Sequence, residues 1–150
     1  MPLLDRNGAR DDVWQQVEAP AISNIAHALL RWDDVQSGLP ATVDGQHLGL
    51  LIPNTVRVGA LLPLLPRLAL IAITFPAYGD GRGFSIARQL RDAGFSGTLR
   101  ASGPLIADQL AYALACGFDE IDLAEASAAR QPVGQWLSAA GSMTATYQRG

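Results

Sequence analysis

Residues 68–123 read LALIAITFPAYGDGRGFSIARQLRDAGFSGTLRASGPLIADQLAYALACGFDEIDL. Apolar runs of strand length (Leu68 to Phe75, Gly97 to Ser102, Phe118 to Leu123) alternate with amphipathic runs of helix length, and glycine stands at most junctions. This alternation predicts an α/β fold of consecutive βα units with a mainly parallel sheet. Helix Phe84 to Ala93 carries an inner stripe of Ile86, Ala87, Leu90 and Ala93. Helix Leu105 to Cys116, with Pro104 near its first turn, turns Ile106, Leu110, Ala113 and Leu114 inward. Both helices end on the same device, Ala93-Gly94-Phe95 and Cys116-Gly117-Phe118, a glycine cap with an aromatic just beyond it.

Side chains alternate across a strand. In Thr98 to Ser102, Leu99 and Ala101 therefore face one way and Arg100 and Ser102 the other; in Phe118 to Leu123, Ile121 and Leu123 oppose Glu120 and Asp122. If these strands are neighbours, Arg100 meets the Glu120/Asp122 row, and Thr74 joins that polar face from the central strand. Strands polar on one side suit a partial (βα)-barrel-like sheet of about five strands with helices on one face. The alternative, an open doubly wound three-layer sheet, needs strands apolar on both faces. The polar face then requires a cover: the N-terminal segment, the tail, or a second subunit.

Working toward the N-terminus, Val56 to Leu65 reads as a short helix or irregular crossover, since Pro63 and Pro66 forbid a long one. His47 to Ile52 is a strand followed by a Pro53-Asn54 turn. The run NIAHALLRWDDV predicts a helix capped by Ser23 or Asn24, with Ile25, Leu29, Trp32 and Val35 on one stripe. Residues 1–12 are polar and predict a mobile or edge-lying segment, with Trp14 and Val17 opening the packed domain. Toward the C-terminus, residues 124–150 predict a helix from Val133 to Ala140 and an edge strand at Thr144 to Tyr147. The whole chain, 1–150, reads as a single domain.

The formal charge is −3, and all eleven basic residues are arginines spread along the chain, which argues against nucleic acid and acidic membrane surfaces as partners. The single cysteine, Cys116, excludes an internal disulfide, and His27 and His47 do not have the spacing of a metal-binding helix pair. No metal and no cofactor is evident. The most apolar stretch, Val58 to Phe75, is broken by Pro63, Pro66 and Arg67, so no membrane span is expected. The acidic and basic residues near the start do not resemble a secretory signal, which makes the cytoplasm the expected compartment.

Asp80, Gly81, Arg82 and Gly83 lie between a strand and a helix, with Ser85 in that helix's first turn, where backbone N–H groups can hold a phosphate or sulfate. The dinucleotide fingerprint is not met, because Phe84 stands where its last glycine belongs, and no phosphate-loop lysine exists. The other reading is a structural loop capped by Asp80. Arg100 and Ser102 are candidates for an anion site, against a structural ion pair. Asp108 and Gln109 occupy the first turn of their helix, where capping competes with ligand binding. Cys116 has no adjacent histidine and reads as a small buried hydrophobe. No catalytic triad or acid/base pair of carboxylates can be argued, so no catalytic residue is assigned.

The motifs DGRGFS (80–85), LRASG (99–103), DQL (108–110) and CGFD (116–119) resemble the bacterial family catalogued as domain of unknown function nine-three-four, labelled an oxidoreductase of sulfite reduction. The resemblance is close from Leu68 to Leu123 and weaker through the tail, while the first sixty residues match only in layout. It implies assimilatory sulfate reduction as the setting, beside a sulfite reductase and a sulfonucleotide reductase as partners. The preferred expectation is an accessory protein of sulfite reduction that binds a partner enzyme or a small oxyanion at the C-terminal edge of the sheet. An oxidoreductase with a bound cofactor ranks second, since one cysteine cannot cycle through an internal disulfide. A purely structural subunit within a homo-oligomer is the third reading.

Overall fold

The computed structural model describes residues 3–5, 8–18, 22, 24–75, 81–103 and 107–123. In chain order they form β1 (Leu3–Asp5), β2 (Gly8–Arg10), β3 (Gln15–Gln16) and β4 (His27–Arg31), with a 3-10 turn at Trp32–Val35. Next come β5 (His47–Pro53), α1 (Val58–Leu61) running into a 3-10 stretch at Leu62–Arg67, and β6 (Leu68–Thr74). The chain continues through α2 (Arg82–Asp92), β7 (Thr98–Gly103), α3 (Ala107–Ala115) and β8 (Glu120–Leu123). All of these strands join one sheet in the order β2-β1-β8-β7-β6-β5-β4-β3.

From β3 to β8 the strands are parallel and stand side by side in sequence order. Right-handed crossovers between such strands place every connection on the same face of the sheet. That is the layout of a partial barrel, and it rules out the doubly wound alternative, in which the strand order reverses within the sheet. Burial agrees. Leu50, Ile52, Ile71, Ile73, Leu99, Ala101 and Ile121 pack with Ile86, Ala87 and Leu90 of α2 and Ala113 and Leu114 of α3. Leu29, Leu70 and Ala72 form a smaller cluster on the opposite face. Both cap glycines take positive φ, and the Phe95 and Phe118 amides close back on Leu90 and Ala113.

The sheet has eight strands among the described residues rather than about five. One of the extra strands is β4, which replaces the helix expected over NIAHALLRWDDV. Ala28 and Leu30 are buried against the main core and Leu29 against the other face, so alternation, not helical spacing, decides this run. Asn24 has φ 68°, a left-handed turn conformation, whereas an N-cap needs extended backbone. The segment expected to be mobile or edge-lying forms strands among its described residues. Its β1 pairs antiparallel with β8 through Leu3↔Asp122 and Asp5↔Glu120, burying Leu3 and Leu4, and only β2 lies at the sheet edge. Ala93, assigned to the inner stripe of α2, is exposed. The expected tail helix and edge strand fall outside the described residues.

Candidate functional site

The registers Ala72↔Arg100, Arg100↔Glu120, Thr74↔Ser102 and Ser102↔Asp122 put Thr74, Arg100, Ser102, Glu120 and Asp122 on the face away from the helices. Arg100 and Glu120 are buried, 2% and 3% exposed. Arg100 Nε donates to Glu120 Oε1 at 3.0 Å, while Nη1 and Nη2 donate to the two carboxylate oxygens of Asp12 at 3.1 and 3.0 Å. Burial works against the charge on Arg100, but the Asp12 and Glu120 carboxylates outweigh it and hold its pKa above the ordinary arginine value. Burial pushes the Asp122 carboxyl up; Arg100 opposes that shift, while Asp12 and Glu120 add to it. The guanidinium fork of Arg100 is thus engaged from within the chain, and the ion-pair reading describes it.

Among the described residues, the cover over this face is the N-terminal segment. Beyond Asp12, the Trp14 ring packs on Leu29, Leu70 and Ala72. It lies so close to β5 that a Cβ at Gly49 would stand 2.9 Å from its Cζ3. His27 meets the ring edge at 5.1 Å between centroids and stacks on His47 at 4.9 Å. Sequence reasoning named this segment among three possible covers but did not find Asp12 as the residue that closes it.

The other candidates stand on the helical side. Phe75, at the end of β6, packs under the first turn of α2, where a Cβ at Gly83 would come within 2.5 Å of its ring. That contact holds the α2 N-terminus over the C-terminal edge of the sheet. Arg82 and Ser85 there line a cavity of about 550 Å³, together with Asn54 and Arg57 from the connection between β5 and α1. Gln89 Nε2 donates to Ser85 Oγ at 3.0 Å, which leaves the serine hydroxyl hydrogen free to point elsewhere. No carboxylate is among the described lining residues. Asn54 is 5% exposed, and its Nδ2 has no hydrogen-bond partner among the described residues. Asn54 and Arg57 were missed from sequence, where a Pro-Asn turn is ordinary punctuation and burial of its amide leaves no local signal.

The sequence candidates are therefore split by the sheet: Arg82, Gly83 and Ser85 on the helical side, Thr74, Arg100 and Ser102 on the other. Asp80 lies outside the described residues, as does the side chain of Asp108; Gln109 is half-buried in the first turn of α3. Cys116 is buried, with Arg88 Nη2 3.5 Å from its sulfur. A cavity of about 660 Å³ opens at the N-terminal ends of β7 and β8. Its main polar group is Arg91, which donates to the carbonyls of Phe95, Gly97 and Gly117 and to Asp119. Asp119 in turn accepts the Leu99 amide at 2.9 Å, so this cluster joins α2 to two strands as a structural latch. Among the described residues no group of histidine, cysteine and carboxylate side chains could hold a metal, and no helix is long and apolar enough to cross a membrane.

A family model described as a bacterial protein of unknown function (DUF934) matches residues 49–150. No curated protein matches the chain.

Proposed function

Because the chain belongs to the bacterial DUF934 family, matched over β5 and everything after it, we propose that it is a cytoplasmic accessory protein of assimilatory sulfate and sulfite reduction. In this reading it holds a small oxyanion at the C-terminal edge of its parallel sheet and presents it to a partner reductase. The observation that carries the reading is the cavity at the start of α2, which joins Arg82 and Ser85 of the first helical turn to a second arginine, Arg57. Backbone amides at a helix N-terminus and guanidinium forks both favour an anion with several acceptor oxygens. The pathway comes from the family resemblance, and the edge location agrees with where parallel α/β sheets hold ligands.

Isothermal titration with sodium sulfite and sodium sulfate tests it. Saturable one-site binding is expected, weakened about tenfold or more by Arg82→Gln, the effect of losing one charge-assisted contact. Absence of heat with either anion, or a bound flavin or nicotinamide in native mass spectra of protein from its own host, would overturn the reading.

A further inference from the structure

The crossover from β5 to β6, made of α1 and the 3-10 stretch after it, lies beside the crossover from β6 to β7, made of α2, because the three strands are neighbours. The seam between them opens at both ends. At the C-terminal edge of the sheet it holds the cavity of about 550 Å³ at the start of α2. At the other edge it opens into one of about 470 Å³, with Leu62, Leu65 and Pro66 on one wall and Ala93 and Gly94 on the other. Arg82, Ser85, Gln89 and Ala93 follow at steps of three and four residues, so one stripe of α2 runs the length of the seam. Arg57 is exposed at the first end, whereas Leu62, 47% exposed, stands at the second beside the exposed Pro66 and Ala93. The arginines are spread along the chain, but the acidic residues are not. Residues 45–91 hold five arginines against one acidic residue, Asp80, and all five arginines stand on the two crossovers; the rest of the chain holds six against thirteen. A protein of negative overall charge thus gathers positive charge around this seam.

We propose that this seam is a docking groove for an acidic, amphipathic segment of a partner protein, with its carboxylates toward Arg57 and its apolar side chains on Leu62, Pro66 and Ala93. This rests on the reading above only in taking a partner to exist, and is independent of the oxyanion. The apolar end supplies contact area, as in other grooves that take one face of an amphipathic helix, while the arginines select the sign of the partner's charge. A second copy of this chain is acidic outside the crossovers and could be drawn to the same place. Its own groove would then stay open, so the contact would repeat from copy to copy without closing.

The test is fluorescence anisotropy of labelled synthetic peptides as long as α2, eleven residues, titrated with the full chain. One peptide carries glutamates and leucines at helical spacing; a second has lysines for the glutamates, and a third has serines for the leucines. The wild type is expected to bind the first about tenfold or more tightly than either of the others, and to lose affinity as salt is raised. Arg57→Glu and Leu62→Gln should each weaken that binding about tenfold, and the exposed Arg57 position serves alone if Leu62→Gln fails to fold. An acidic peptide that does not bind, binds no better than the lysine or serine version, or binds both folded variants as tightly as the wild type would overturn the inference. Tighter binding of a single-stranded RNA oligonucleotide would overturn it in favour of nucleic acid. A mass in light scattering that grows at low salt and returns to that of a monomer in Arg57→Glu would overturn it in favour of a second copy. The peptide assay contains neither sulfite nor sulfate: peptide binding without anion binding would remove the oxyanion reading alone, and the reverse would remove this inference alone.

Discussion

Replacing Arg100 with Met is expected to remove about 3–5 kcal/mol of folding stability, the usual consequence of breaking a buried ion pair from one side. The substitution leaves the Glu120 carboxylate, 3% exposed, inside the protein without its guanidinium. It also releases Asp12, whose two hydrogen bonds to Arg100 hold the N-terminal segment over the inner face. For a domain of ordinary stability, about 5–15 kcal/mol, the variant would stand near the edge of unfolding. Asp12→Asn should cost far less, about 1 kcal/mol, because the Asp12 side chain is 38% exposed and its carboxylate is partly solvated. Urea titration measures both. A double-mutant cycle of Arg100→Met with Glu120→Gln should show coupling of about 1–3 kcal/mol. Strictly additive losses would mean that the two side chains do not hold each other.

The second large effect is expected at Gly103, the last residue of β7. Its φ is +127°, and a Cβ built there would lie 2.2 Å from the carbonyl oxygen of Phe75. That carbonyl cannot easily retreat. Phe75 is buried, its ring packs at 4.8 Å on Phe84 and 5.8 Å on Phe118, and its N–H donates to Ser102 at 2.7 Å. Gly103→Ala should therefore cost on the order of 3 kcal/mol, backbone strain and steric displacement combined. Gly38 is the control: its φ is +121°, but nothing stands within 4 Å of an added Cβ. Gly38→Ala should show the strain alone, about 1 kcal/mol. Equal melting temperatures for the two variants would refute the steric part of the argument.

The contact between Arg100 and Glu120 could be read from the sequence because it needs only strand alternation and the adjacency of two consecutive βα units. Asp12 could not, since it reaches Arg100 from 88 positions away and no local pattern encodes that distance. The run around His27 was misread because an apolar stretch that is buried on both faces fits helical and strand spacing alike; the positive φ of Asn24 and pairing on both sides of β4 decide it. At the edge cavity, Arg82 was visible in a glycine-rich loop between a strand and a helix and Ser85 at the start of that helix, while the structure begins the helix at Arg82. Asn54 and Arg57 belong to the preceding crossover, and only the packing of one crossover against the next brings them into the same wall. The N-terminal strands were hidden for a similar reason, as their partner β8 is the last strand described.

The pairing of β1 with β8, Leu3 opposite Asp122, has a consequence for the order of folding. Strands β4 to β8 each find a partner one crossover away, so they can assemble as they leave the ribosome. The first strand has only its hairpin partner β2 at hand: its docking on the rest of the sheet must wait until β8 has been synthesised, and closing so long a loop is slow. Asp12 arrives over Arg100 from the same N-terminal segment. In pulse-labelled hydrogen exchange during refolding, the amides of Leu3–Asp5 should gain protection after those of Leu68–Thr74, and simultaneous protection would refute this order. The β1–β2 hairpin, made before the strand it docks on, would join the sheet after β4 to β8, and the interval before it docks leaves the free edge of β8 open to aggregation.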